Sequence, residues 1–267
     1  DIHPQENSTV GLVNATCGNK STVRKLMTIY DAIGDAYDLV YPDTIERVPF
    51  VKNLLERHDI VSVLELGTGT GLFTIPLHEA GFDIEGVEIS QVMIDVLGHK
   101  APGIKVHYGD MRSYTANRRY GAILALSSVL VFVNNEQEVK QSLQRCYDHL
   151  HPGGILLLEL PNHSVEIGHS NNSQEIHQTS DQSTIVVIQS AIEGQDWNET
   201  WHVYKNNGAG LTYEEVVCQE FLYKPEVLAA QLGEVGFEVV ETGGDLLGGS
   251  FDEATSWRRV LVCEKKD

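Results

Sequence analysis

Positive charge is what this chain has least of. Its 267 residues carry 19 Lys and Arg against 38 Asp and Glu, a formal net charge of −19. A surface of that sign repels phosphate backbones and anionic lipid headgroups, so neither a nucleic-acid nor a membrane partner is expected. Cysteine is also sparse. Cys17, Cys146, Cys218 and Cys263 stand at wide, irregular intervals without a C-x-x-C, which argues against a disulfide scaffold and fits reduced thiols in a cytoplasmic protein. The 11 histidines form no His–Cys cluster at metal-ligand spacing, and no metal is expected. Internal repeats and heptads are absent, and at 42% hydrophobic residues the chain reads as neither disordered nor membrane-spanning. The length suits one domain with a sizeable insertion. The opening residues, 1–19, are polar, lack the basic and apolar regions of a signal peptide, and read as a mobile tail.

What is present is a glycine turn between two apolar strands. Val63-Leu64-Glu65-Leu66-Gly67-Thr68-Gly69-Thr70-Gly71 runs into a helix, and the next apolar strand, Ile84-Glu85-Gly86-Val87-Glu88-Ile89, ends in an acid. Alternate glycines lack the Cβ atoms that hold a ligand off the backbone and accept turn dihedrals closed to other residues. Together these features describe a nucleoside pocket. A dinucleotide site would space its glycines G-x-G-x-x-G. Here the third glycine comes one residue early, Leu72 stands where Gly or Ala is wanted, and Glu65 would repel a pyrophosphate. A carboxylate at position 65 suits a cationic amino group instead.

Three further segments follow in order. Ile104 to Arg112 is a short strand ending in Gly109-Asp110-Met111, Tyr120 to Ser128 is an apolar run of strand length, and Leu150-His151-Pro152-Gly153-Gly154 precedes a second apolar run. This ordered set resembles the class I S-adenosylmethionine (SAM) methyltransferases. The resemblance implies a doubly wound α/β fold with a Rossmann-like, mostly parallel sheet, and SAM as cofactor. It places Gly67, Thr68, Gly69 and Gly71 beside the methionine and ribose, with Glu65 near the amino group. Glu88 takes both ribose hydroxyls, Asp110 faces the adenine amino group, and Gly109 and Met111 meet the ring. Tyr30, Tyr37, Ile89, Met93 and Leu126 complete the expected SAM contacts.

Periodicity organises the rest. Residues 20–58 read as a helical lid, with helical spacing from Lys20 to Tyr41 and an amphipathic helix from Ile45 to Arg57 whose Pro49 falls near the first turn. Residues 59–161 form the SAM-binding core, in which Pro76 must cap or kink the helix from Leu72 to Ala80. Residues 162–223 are an acceptor-side insertion: a polar loop from Asn162 to Ser183, then strands at Thr184–Ser190, Thr200–Asn206 and Glu214–Tyr223. Residues 224–267 supply the last helix and a terminal hairpin.

Tyr37-Asp38-Leu39-Val40-Tyr41, Glu88-Ile89-Ser90, the paired Ser127-Ser128 and the inserted strands resemble, more narrowly, the dimethyltransferases of bacterial secondary metabolism that act on deoxysugar amines. Those enzymes usually hold a histidine after the paired serines; here Val129 to Val133 is wholly apolar. The expectation is therefore in-line methyl transfer to a small hydrophobic metabolite, with N, C or O as acceptor atom. The alternatives are a sugar-amine N-methyltransferase, or a SAM-binding protein recruited to another role such as cyclisation. Tyr41, Arg112, Ser127, Val131 and Phe132 are the expected acceptor contacts. Tyr37 and His163 lead the candidates for a base, followed by His169, His177, Tyr30 and Tyr41. An N-terminal helix over the site could be exchanged between subunits, which makes a homo-oligomer an expectation too.

Overall fold

The computed structural model describes residues 30–133, 135–169 and 173–266. The expected tail and the first half of the expected lid helix lie outside the described residues. A helical turn at 30–33 and a 3-10 turn at Gly34–Ala36 lead into α1 (Tyr37–Val40) and α2 (Thr44–Arg57). Then come β1 (Ser62–Leu66), α3 (Thr74–Glu79), β2 (Asp83–Glu88), α4 (Gln91–Lys100), β3 (Lys105–Tyr108) and β4 (Tyr120–Ala125). A 3-10 turn at Val129–Phe132 precedes α5 (Glu136–His149), β5 (Leu150–Pro161) and α6 (His163–His169). Four strands follow, β6 (Ser173–Gln178), β7 (Thr184–Glu193), β8 (Asp196–Asn206) and β9 (Leu211–Phe221), and α7 (Pro225–Val235), β10 (Phe237–Gly243) and β11 (Arg258–Lys265) end the chain. Among the described residues no helix is long and apolar enough to cross a membrane.

The main sheet has the order β10-β11-β5-β4-β1-β2-β3, parallel from β5 to β3, with β11 and β10 antiparallel at one edge. Its central strands are apolar at both parities because both faces are covered. Leu64, Leu66, Ile123, Leu156 and Leu158 pack with Leu143 of α5 and Leu228 and Leu232 of α7. The alternate residues Val63, Ala122, Leu124, Ile155 and Leu157 pack with Val51 and Leu54 of α2 and Leu77 of α3. Strand order reverses direction between β1 and β4, and the crevice at the carboxyl ends of these strands is where such sheets bind ligands.

Of Pro49 and Pro76, the second lies in the first turn of α3, which starts at Thr74, where its missing N–H interrupts no helix bond. Pro49 lies inside α2, in its second turn, where its missing N–H leaves the Ile45 carbonyl unpaired within the helix. Residue 45 is exposed, so water can satisfy that carbonyl.

The expected loop at 162–183 is replaced by α6 and β6. Asn162 starts the helix, its side chain accepting from Ser164 N–H and its carbonyl from Glu166 N–H. β6 is an edge strand with most residues exposed, which is why its sequence, Ser-Gln-Glu-Ile-His-Gln, looks like a loop. It completes a four-stranded antiparallel sheet, β6-β7-β8-β9. That sheet packs Val186, Ile188, Trp201, Val203 and Val216 on Ile33, Ala36 and Val40 of the N-terminal segment.

Candidate functional site

The glycine turn leaves β1 with Gly67, Gly69 and Gly71 all in the left-handed region. At Gly67 a Cβ would fall 2.3 Å from Cγ2 of Val129, so glycine is required by space as well as by dihedral. Glu65 and Glu88 flank the turn and are both almost fully buried. Burial pushes the Glu65 carboxyl up to about 8, against the pull of the Thr74 and Thr68 hydroxyls that donate to it. Glu88 accepts backbone N–H groups from Gly69 at 2.8 Å, Ile89 at 2.8 Å and Ser90 at 2.9 Å. Burial outweighs these bonds and raises its pKa.

A cleft of about 720 Å³ opens above this turn. Gly67, Gly69, Glu88 and Ile89 form its floor, and Gly109, Asp110, Met111 and Arg112 one side. Leu126, Ser127 and Phe132 close the other side, with Tyr30 and Tyr37 above. Thirteen expected residues thus meet in one place. Val87, Val129 and Val133 also line it and were not singled out from the sequence. Four expected contacts do not reach the cleft. Glu65 is turned to the Thr68 and Thr74 hydroxyls, Thr68 is buried under the turn, Gly71 abuts Ile75 and Leu97, and Met93 is a fully buried core residue. These four shape the turn from behind.

Arg112 lines the cleft but is already partnered. Its Nε donates to Asp110 Oδ1 at 2.9 Å and its Nη1 to Glu138 Oε2 at 2.6 Å. Burial would raise the Asp110 carboxyl, yet the Arg112 side chain and backbone N–H outweigh it and hold its pKa below the usual carboxylate range.

The N-terminal segment is tied over the turn by two aspartates that the sequence reading passed over. Ser90 Oγ donates to Asp31 at 2.6 Å, and Thr70 Oγ1 donates to Asp38, which also pairs with Lys100. Its three tyrosines form a ring cluster, with Tyr30 and Tyr37 centroids 6.0 Å apart, Tyr37 and Tyr41 4.8 Å, and Tyr30 and Phe132 5.8 Å. Burial, foremost among the causes, raises the pKa of all three phenols and so favours their protonated form.

A second cavity of about 840 Å³ adjoins the first and shares Tyr30, Tyr37, Ser127 and Phe132 with it. Ser127 and Ser128 both take left-handed dihedrals at the junction, a conformation costing about 1–2 kcal/mol per residue. Ser127 N–H donates to Glu159 at 2.8 Å, and Arg47 holds the other oxygen of that carboxylate at 3.2 Å. This brace keeps the turn in place. Val131, one of the expected acceptor contacts, and Pro161 line an apolar side of the cavity. The inserted sheet contributes the opposite: Glu175, Glu199 and Glu220, with Trp197, facing Arg258 of β11. The cavity therefore joins an apolar side to a charged one.

The histidine candidates lie elsewhere. His163 faces a separate cavity of about 380 Å³, on the far side of Val131 and Pro161, and its pKa is lowered by burial. His177 is partnered with Glu175 on β6, and the side chain of residue 169 lies outside the described residues.

Comparison with known proteins agrees with this geometry. Residues 63–154 match a family model described as a Methyltransferase domain. The dTDP-3-amino-3,6-dideoxy-alpha-D-glucopyranose N,N-dimethyltransferase of Streptomyces fradiae is 28% identical over 133 residues, 48% of this chain and 52% of that protein. A glycine/sarcosine N-methyltransferase of Halorhodospira halochloris is 25% identical over 219 residues, 79% of this chain and 78% of that one. This chain spans about half the length of the Streptomyces dimethyltransferases it matches. The solved structure of the CcbJ methyltransferase from Streptomyces caelestis superposes with a TM-score of 0.76 at 24% identity, covering 90% of this chain and 99% of that chain, a likeness of fold. Residues 63–154 thus form a methyltransferase domain at the centre of the main sheet, with the glycine turn at the strand reversal, on a Rossmann-like methyltransferase fold that resembles the SAM-dependent sugar-amine dimethyltransferases.

Proposed function

We propose that this protein methylates the nitrogen of a small, cationic amine, with SAM in the 720 Å³ cleft and the amine in the 840 Å³ cavity beside it. SAM, when bound, supplies a methyl group already activated on a sulfonium. The protein's part is to bind, orient and desolvate. In this reading Glu88 accepts from the ribose hydroxyls, Asp110 and the Gly109–Met111 backbone meet the adenine, and Ile89, Leu126 and Phe132 flank the ring. Cleft size and lining support it: an apolar strip with a few convergent polar groups is what a nucleoside site requires.

The observation that carries the amine is the charge of the second cavity. Glu159 is matched by Arg47 and Glu175 has His177 beside it, but Glu199 and Glu220 have Arg258 as the one cation lining the cavity near them. The tyrosine cluster at the junction adds ring faces that attract an organic cation, worth about 0.5–2 kcal/mol each. The two relatives named above carry N-methyltransferase names, which supports the same choice. We place this role in secondary metabolism by that resemblance.

The test is methyl transfer from labelled SAM to paired probes, 2-amino-2-deoxyglucose against glucose and sarcosine against glycolate. Label is expected on the amines alone; label on the hydroxyl or carbon atoms would refute the reading.

A further inference from the structure

The inserted sheet brings two carboxylates to one face without giving them matching cations. In the β8–β9 register Glu199 lies opposite Cys218 and Trp197 opposite Glu220, so Glu199 and Glu220 are diagonal neighbours on the side that faces the second cavity. Diagonal pairs on a sheet face stand about 7–8 Å apart, within reach of one small ligand. Glu199 is oriented by Trp201 Nε1 at 2.8 Å and Ser190 Oγ at 3.0 Å. Glu220 lines the cavity, and the indole Nε1 of Trp197, its register partner on β8, is buried without a hydrogen-bond partner among the described residues. A buried donor that the fold leaves unused, opening on a cavity between two carboxylates, is a polar feature that packing alone does not explain.

We infer that Glu199 and Glu220 form a carboxylate clamp that grips the acceptor as an ammonium and takes one proton from its nitrogen. This rests on the amine reading above and assigns the polar role to the insertion. In the step, an N–H bond of the ammonium breaks, its proton joins a carboxylate oxygen, and the nitrogen keeps the electron pair. The neutral amine and the carboxylic acid balance the ammonium and the carboxylate, and the proton passes to solvent when the product leaves.

The surroundings are tuned for that exchange. Burial first, then the charge of its neighbour, raises Glu220 above the usual carboxylate range, and burial raises Glu199. Two carboxyls this close raise one another, and their titration belongs to the pair. The other groups facing them are Glu175 on β6, Glu166 on α6 and Arg258 on β11, with Tyr41 and Tyr30 from the N-terminal segment. The Arg47–Glu159 pair lies on the opposite wall. A positioned general base is worth about 10²–10⁴-fold in rate.

The experiment compares the full chain with Glu199→Gln and Glu220→Gln, which keep the side-chain shape. Binding of S-adenosylhomocysteine, read by calorimetry, should stay within about twofold and shows that each variant is folded. With labelled SAM and the amine probes, kcat/KM at pH 7 should fall about 100-fold, and its rise with pH should move to the higher range of the free amine's own ionisation. Glu220→Asp, which keeps a carboxyl, should recover part of the rate. If label reaches the amines but the variants match the wild type with an unmoved pH profile, the clamp is refuted and N-methylation stands. If label goes only to hydroxyl or carbon probes, both fall. If no probe is methylated, infrared spectroscopy of the S-adenosylhomocysteine complex decides. A carboxylic-acid band at neutral pH that both Gln variants lose, and that ethylamine but not ethanol perturbs, upholds the clamp; its absence in the wild type overturns it.

Discussion

Gly67→Ala is expected to disable the cofactor cleft through one added methyl group, and the structure says how its cost divides. The residue sits at φ +66°, where a side chain costs about 1–2 kcal/mol. Its Cβ would also overlap Val129, with Cγ2 at 2.3 Å and Cβ at 3.2 Å, and such overpacking costs about 1–3 kcal/mol. The sum is about 2–5 kcal/mol, relieved only by moving the turn or the segment after Ser128. Val129→Ala alone trims a half-buried side chain and should cost about 1 kcal/mol. In the double variant the clash with Cγ2 disappears while the 3.2 Å approach to Cβ and the dihedral cost remain, so the cycle should show a favourable coupling of about 1–3 kcal/mol. Urea unfolding at constant m-value measures all four corners, and calorimetry with S-adenosylhomocysteine should follow the same order. A Gly67→Ala cost below about 1 kcal/mol, or a coupling of zero, would show that the contact between the turn and Val129 is not what shapes the cleft.

Two further outcomes follow from the charged groups around the cleft. Glu65 has a folded pKa raised to about 8 from 4.5, so its contribution to stability is full below pH 4.5 and is lost as pH rises through 8. Glu65→Gln should remove on the order of a few kcal/mol of that decline, read as a smaller fall in the unfolding midpoint between pH 5 and 8; identical pH profiles would refute the assignment. Arg112→Ala should leave Asp110 half-buried without its cation, raise its pKa, cost about 1–3 kcal/mol at neutral pH, and weaken S-adenosylhomocysteine binding. Unchanged stability and affinity together would show that the Arg112 bridge is incidental to that wall.

Most of the donor side was legible because it is built from backbone and local sequence. Close approach requires glycine at particular steps of a strand-to-helix turn, and acids at successive strand ends are fixed by parallel register, so position in sequence implies position in space. Glu65, Thr68, Gly71 and Met93 show the limit: the motif marks the turn, but which side of it each side chain takes depends on packing from α3 and α4. Asp31 and Asp38 were missed because their partners, Ser90 and Thr70, are distant in sequence. The acceptor side was less legible still. β6 is polar on an edge, and its charges look like a loop until the sheet is seen. Yet a signal was there: Trp197, Glu199, Trp201 and Val203 alternate along β8, and Val216, Cys218 and Glu220 along β9. A glutamate in phase with buried aromatic and branched residues points inward with them. Glu159, the single charge in Leu156-Leu157-Leu158-Glu159-Leu160, carried the same message.

The apolar stretch from Val129 to Val133 then has a different meaning from the one its sequence suggests. Val131 is 1% exposed and belongs to the core cluster that includes Leu160 and Leu228. A histidine there would have to bury an imidazole among aliphatic side chains, at a cost of a few kcal/mol unless a partner were supplied. The residue is apolar because its neighbours are. Polarity near the acceptor must therefore come from a surface that the core does not dictate, and the inserted sheet is that surface, since only one of its faces is packed and β8 and β9 can place any side chain at the inward positions beyond Trp201 and Val216. The glutamates stand at those positions, on the two strands that close the cavity. A hydrophobic wall on the core side and a charged wall on the insertion side are thus parts of one pocket, the arrangement that the proposed transfer to an amine requires: an apolar side to keep water from the methyl and a charged side to hold a cation.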